Sequence, residues 1–139
     1  MLWSDYEKAI LALCLWREDR SGGLEGMKAV GCCIRNRVSK WGWSYTKAIE
    51  GKNQFSSISV LGDTQTILYP PVNDPLFTQV LSLVEDIYDN SLVDVTMGAL
   101  YYCSNPSTIP QDGWFAKNIL QDPTNHPLIG VFGSQYYYR

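Results

Sequence analysis

Seven residues near the start of the chain, Arg17-Glu18-Asp19-Arg20-Ser21-Gly22-Gly23, separate two apolar patterns of helical period and can continue neither. Before them, Tyr6, Ile10, Leu13 and Cys14, with Trp16, recur at i, i+3/i+4 spacing. After them, Met27, Val30, Gly31, Ile34 and Val38 share one helical face. The first helix therefore ends at Ser21-Gly22-Gly23, and a second runs from about Leu24 to Ser39. Ala29 and Gly31 leave room for another helix to approach closely. Ser4-Asp5-Tyr6-Glu7 reads as a capping box that starts the first helix, with Ser4 at the N-cap.

The pattern beyond the second helix is more broken. Residues 41–61 read as irregular, with one helical turn at Thr46–Glu50; Asn53-Gln54-Phe55-Ser56-Ser57 is polar around a single aromatic anchor. A short strand is expected within Val60–Leu68. Pro70-Pro71 breaks structure, and Asp74-Pro75 opens a third amphipathic helix, with proline at its first position, through Phe77, Val80, Leu81, Val84, Ile87 and Tyr88 to about Asn90. Val93–Cys103 is rich in β-branched and aromatic residues and reads as extended. Ser104-Asn105-Pro106 is a turn, Asp112-Gly113-Trp114 opens a short helix through Leu120, and a hairpin is expected around Gly133-Ser134. No repeat or linker interrupts the 139 residues, so a single domain, 1–139, is expected. Its class is α+β, mainly helical with a small β element.

Several kinds of function are argued against. A net charge of −3 does not provide the basic face that nucleic acid requires. Met1-Leu2-Trp3-Ser4-Asp5-Tyr6-Glu7 has neither a basic n-region nor an apolar h-region, so no signal peptide is expected, and no apolar run is long enough to cross a membrane. Cys14, Cys32, Cys33 and Cys103 show no C-x-x-C spacing, which leaves buried free thiols as the expectation and no metal site. His126, the single histidine, lies in the turn-rich run Asp122-Pro123-Thr124-Asn125-His126-Pro127 and reads as a surface residue. Neither a serine or cysteine nucleophile context nor a phosphate-cradling glycine loop is present. Five Trp and nine Tyr exceed what catalysis needs. They fill a core, and amphipathic rings also suit a groove for sugars, whose apolar faces lie on aromatic planes.

Glu18 is the residue that stands out chemically. It follows Trp16 at the end of a helix and precedes a glycine turn, where a carboxyl can project into a cleft. An aromatic wall and a helix C-terminus both disfavour the charged form of a carboxyl, the bias a general acid requires. The plainer alternative is a solvated charge paired with Arg17 or Arg20.

The run Leu15-Trp16-Arg17-Glu18-Asp19-Arg20-Ser21-Gly22-Gly23-Leu24-Glu25-Gly26-Met27-Lys28-Ala29-Val30, followed by Ile34-Arg35-Asn36-Arg37-Val38, resembles the SleB-type cell wall hydrolase family of spore-cortex-lytic enzymes. Members read approximately W-G-E-A-R-G-E-x-x-E-G-M-x-A-V-x-x-V-I-x-N-R-V there. Gln54-Phe55-Ser56, the Asp74-Pro75 helix, Gly98-Ala99-Leu100-Tyr101-Tyr102 with Asn105-Pro106, Trp114-Phe115-Ala116 and the closing Gly133 to Arg139 are similar to later family segments, in the same order. The resemblance implies a lysozyme-like, lytic-transglycosylase-type fold and cleavage between N-acetylmuramic acid and N-acetylglucosamine, with Glu18 as the catalytic acid. Gly22 stands where the family has a second acid, Asp19 where it has a small residue, and Gln135 where many members have histidine.

With no second carboxylate evident, the expected route is a lytic transglycosylase using Glu18 as acid and then base, leaving a 1,6-anhydro-muramic end. One alternative is hydrolysis by water, assisted by Asp19, Asp63 or Asp94. Another, favoured by Gly22 and Gln135, is a weakened wall-binding or virion structural module. Gln54, Ser56, Tyr101, Tyr102 and Asn105 are expected to line the groove, since amides and hydroxyls suit N-acetyl and hydroxyl groups. The expected partner is the peptidoglycan glycan strand, bound by a monomer without cofactor, metal, nucleic acid or membrane insertion. The expected setting is the cytoplasm until release to the wall, as for a phage endolysin or virion-associated lysin.

Overall fold

A computed structural model describes residues 3–52 and 54–139 of the chain. Met1 and Leu2, part of the reading of the N-terminus, and Asn53, part of the polar run at 53–57, lie outside the described residues.

Three helices form the core: α1 (Trp3–Asp19), α2 (Gly23–Trp41) and α5 (Pro75–Tyr88). Leu11, Leu15, Met27, Val30, Ile34, Val80, Val84 and Ile87 meet between them, all nearly inaccessible to solvent. α2 and α5 approach at Gly31, where a Cβ would run into the Ile87 side chain; this is the close packing its small residues predict. α1 also packs against α3 (Tyr45–Glu50) and α4 (Ser56–Ser59), which is why polar as well as apolar residues of α1 are buried. Asp74 caps α5 as expected, its carboxylate accepting from Phe77 N at 3.3 Å, with Pro75 in the first turn.

Three antiparallel strands, β1 (Tyr101–Cys103), β2 (Leu128–Phe132) and β3 (Gln135–Tyr138), form a sheet with β3 in the centre. The hairpin of β2 and β3 turns at Gly133-Ser134, and Gly133 has φ +58°, the left-handed conformation that favours glycine. Tyr102 faces Tyr137 across the β1–β3 ladder. The result is the mainly helical α+β domain read from the sequence.

Four local expectations are corrected. α1 begins at Trp3, so Ser4 is not its N-cap; Glu7 instead accepts from Thr46 N at 2.8 Å, Thr46 Oγ1 at 3.0 Å and the Tyr88 hydroxyl at 2.9 Å. Long-range donors took the acid that a local cap would have used. α4 and α3 are helical within 41–61, and α3 starts one residue before the turn expected at Thr46. No strand forms within Val60–Leu68: Asp63 accepts from Gln65 N at 2.8 Å and starts a 3-10 turn at Thr64–Ile67. In Val93–Cys103 only the last three residues are a strand, because Asp94 gathers Thr96 N, Thr96 Oγ1, Gly98 N and Asn36 Nδ2 at 2.6 to 2.9 Å into a knotted turn.

All four cysteines are buried free thiols. Burial pushes each thiol up from its ordinary value, Cys33 to about 11, so they behave as small apolar residues. Among the described residues no helix is long and apolar enough to cross a membrane.

Candidate active site

A cleft of about 980 Å³ opens between the C-terminal end of α1, the end of α2, the segment before α4, and β1. Glu18 lies in it, in the last turn of α1, half-buried. Two hydroxyls converge on its carboxyl. Ser57 Oγ donates to Oε2 at 2.6 Å, and the Tyr102 hydroxyl donates to Oε1. Burial, reinforced by the charge of Glu18, holds the Tyr102 phenol well above its ordinary value, so it remains protonated at neutral pH. A hydroxyl can donate or accept, so both partners can stay in place whether or not Glu18 carries a proton. The ring of Tyr102 is fixed by stacking on Tyr137, with centroids 5.4 Å apart, and by Phe55 at 6.4 Å.

The aromatic neighbour of Glu18 is therefore not Trp16. Two residues on a helix are turned about 200° apart, and Trp16 points elsewhere: its Nε1 donates to Asp74 Oδ2 at 3.3 Å and Arg20 lies over its ring at 4.2 Å. Neither arginine pairs with Glu18. Arg20 Nη1 donates to Gln65 Oε1 at 2.8 Å and to the carbonyls of Trp16 and Arg17, while Arg17 binds main-chain carbonyls of the segment after α4's start.

Asp19, next to Glu18, is buried and turned away from the cleft. Its carboxylate lies where a Cβ on Gly22 would come within 2.5 to 2.8 Å, and a Cβ on Gly26 or Gly133 would collide with it too. Ser134 supplies both its hydroxyl and its N–H, the latter at 3.3 Å. Burial raises the Asp19 pKa, and the Ser134 and Gly22 donors only partly offset this. Aspartate at 19 and a side chain at 22 would compete for one space, and glycine at 22 leaves that space to the Asp19 carboxylate. Gln135 Nε2 donates to the Glu18 carbonyl at 3.3 Å, so the β2–β3 hairpin holds the backbone of Glu18 and, through Ser134, the carboxylate of Asp19.

The other two candidate assisting acids are also occupied. Asp94 is held by three donors of its turn and by Asn36 of α2, which outweigh burial and lower its pKa. Asp63, lowered by Gln65 N and the Ser56 hydroxyl, accepts the latter at 2.8 Å. Glu18 is the one carboxylate lining the cleft among the described residues. His126 is not a cleft-lining residue. Its ring meets Tyr101 edge-on at 5.4 Å, and its Nδ1 lies 2.9 Å from the Arg139 carbonyl.

Of the groove residues expected from the sequence, Gln54, Ser56, Tyr101 and Tyr102 line the cleft together with Glu18. Asn105 is placed differently. It is exposed, and its side chain caps a 3-10 turn by accepting from Ser107 N at 3.0 Å and Ser107 Oγ at 2.8 Å. The sequence reading missed Ser57, which is buried and bonds to Glu18, and in the lining it missed Arg37 and the aromatic wall of Trp41, Trp43, Trp114 and Phe115. The left-handed cap at Gly42 ends α2 and sets the Trp41 and Trp43 rings 4.7 Å apart. Tyr101 continues this wall, 6.3 Å from Trp41 and 6.2 Å from Trp114. A Trp-Gly-Trp run at a helix end was the available signal.

The sequence profile of the family described as Cell Wall Hydrolase matches residues 21–127, a stretch that begins just after Glu18. No curated protein matches the chain. The crystal structure of the catalytic domain of the Bacillus cereus SleB protein is similar over 99% of this chain and 93% of that chain, with a TM-score of 0.63 and 23% sequence identity. The fold is thus the lysozyme-like one of that domain.

Proposed function

The chain belongs to the cell wall hydrolase family, and on that premise we propose that it degrades peptidoglycan by cleaving the glycosidic bond between N-acetylmuramic acid and N-acetylglucosamine, as a lytic transglycosylase. The observation that carries the mechanism is the pairing of Glu18 with Ser57 and Tyr102 in a cleft with no second carboxylate among its described lining. Glu18 protonates the glycosidic oxygen as an oxocarbenium-like transition state develops. The resulting carboxylate takes the proton of the muramic 6-hydroxyl, which attacks its own anomeric carbon. The C1–O bond to the leaving sugar breaks, a C1–O6 bond forms, and a 1,6-anhydro end remains. Intramolecular attack provides effective concentration without a base for water.

The environments of Asp19, Asp63 and Asp94 support this route over hydrolysis, since none of the three lines the cleft and each carboxylate is already held by hydrogen-bond donors. Trp41, Tyr101 and Trp114 offer faces for pyranose rings, while Gln54, Ser56 and Tyr102 offer polar groups to N-acetyl and hydroxyl substituents. Delivery is part of the same proposal. The chain acts as an endolysin or virion-associated lysin, reaching the wall through a membrane hole or an injection device.

Glu18→Gln tests the assignment. It keeps the shape and loses the proton, so clearance of purified cell walls should slow by at least about a hundredfold, with the thermal unfolding midpoint little changed. Clearance at the parental rate would remove Glu18 as the acid.

A further inference from the structure

Arg17 precedes Glu18 on α1 and its side chain is buried, 7% exposed. Its guanidinium donates to three main-chain carbonyls: Ser57 at 2.8 Å, Leu68 at 3.0 Å and Thr66 at 3.2 Å. It also lies over the Tyr69 ring at 4.9 Å. The ion pair found within 4 Å among the described residues is Lys8 with Glu85, so the charge of Arg17 is met by carbonyl dipoles.

Those carbonyls belong to the segment that brings Ser57 to Glu18. Phe55 anchors its root in the core. Ile58 also packs against the core, but from residue 60 onward the segment has little apolar hold: Val60 is 48%, Leu61 100%, Ile67 79% and Tyr69 66% exposed. Burial cannot set where its far half lies, so hydrogen bonds must. Asp63 stiffens the segment internally through Ser56 and Gln65, and Arg20 adds a bond to Gln65 Oε1. Among the described residues Arg17 alone joins both ends of it, at 57 and at 66 and 68, to the helix that carries Glu18. A planar guanidinium presents several donors in fixed directions, which an ammonium does not.

We propose that Arg17 is a positioning residue: by binding the carbonyls of Ser57, Thr66 and Leu68 it fixes the Ser57 hydroxyl on Glu18 Oε2. This inference rests on Glu18 being the acid. Arg17 touches no reacting atom and acts through Ser57.

A double-mutant cycle of Arg17→Ala and Ser57→Ala, read as wall-clearing rate with circular dichroism as the fold control, tests it. Ser57→Ala should slow clearance about tenfold, and Arg17→Ala, which acts through Ser57, by up to about the same factor. The double variant should be no more than about twofold slower than the slower single variant, because coupled residues are not additive. Guanidinium ion, below the concentration that unfolds the chain, should restore part of the rate to Arg17→Ala and none to the double variant. Losses that multiply, or rescue of both variants alike, would overturn the inference. If Arg17→Ala does not fold, Arg17→Lys enters the same cycle, carrying the charge without the fork, with the same expected coupling. Glu18→Gln separates the two layers. If it clears walls normally, the acid assignment fails and this inference with it. If it is inactive while the Arg17 and Ser57 losses multiply, only the role of Arg17 fails.

Discussion

The Tyr102 hydroxyl donates to Glu18 Oε1 across 84 residues of sequence, joining the small sheet to the end of the first helix at the carboxyl itself. The phenol stays protonated because burial and the neighbouring charge both oppose its ionisation. It can therefore steady Glu18 after the proton has left for the sugar. Tyr102→Phe keeps the stack on Tyr137 and removes only the donor. The wall-clearing rate should fall about tenfold or more, the worth of a hydrogen bond to a charged group, with the fold intact by circular dichroism. An unchanged rate would show that the Tyr102 hydroxyl serves packing alone.

Asp19 makes a pH-dependent contribution of opposite sign to that of a paired surface acid. Its folded pKa is raised, chiefly by burial, so in the window from its unfolded value of about 3.9 up to the raised value the folded state binds more protons than the unfolded state. Its contribution to stability is then present at low pH and is lost as pH rises through that window. Asp19→Asn removes this titration. Urea unfolding across a pH series should show a shallower fall in stability, or a steeper rise, for the variant over that window than for the parent. Parallel curves would contradict the burial account of Asp19.

Trp114 is 63% exposed yet lines the cleft beside Tyr101. A large indole left in water contributes little to folding, so Trp114→Ala should leave the unfolding midpoint nearly unchanged. Binding should suffer instead. The half-saturating wall concentration is expected to rise about three- to tenfold, the scale of one stacking contact. A lower midpoint with unchanged binding would make Trp114 a structural residue.

Delivery can be tested with these 139 residues alone. Expressed in the bacterial cytoplasm, they should leave growth unaffected until the inner membrane is permeabilised, and lysis should follow at once. Lysis on expression without permeabilisation would contradict the proposed route to the wall.

The helices were legible because their apolar residues repeat at helical spacing, and the hairpin because Gly133 allows a turn that few other residues tolerate. Glu18 was legible from its place at a helix end and from the resemblance, and its neighbours Gln54, Ser56, Tyr101 and Tyr102 from the resemblance too. What escaped was set by which partner each polar side chain finds in three dimensions. Glu7 looks like a local cap, but Thr46 and Tyr88 claim it. Val60–Leu68 looks like a strand, but Asp63 starts a 3-10 turn there and two arginines hold it against α1. Asn105 looks like a groove amide, but its nearest donors are in its own turn. Asp19 and Gly22 read as two separate features in one dimension; in three, the Asp19 carboxylate fills the space that Gly22, Gly26 and Gly133 leave.

The most direct test of the one-carboxyl mechanism is mass spectrometry of the muropeptides released from purified cell walls. The account predicts muramic ends in the 1,6-anhydro form, lighter by one water than reducing ends, and their loss with Glu18→Gln. Reducing ends alone would contradict it, and would require a second carboxylate to activate water.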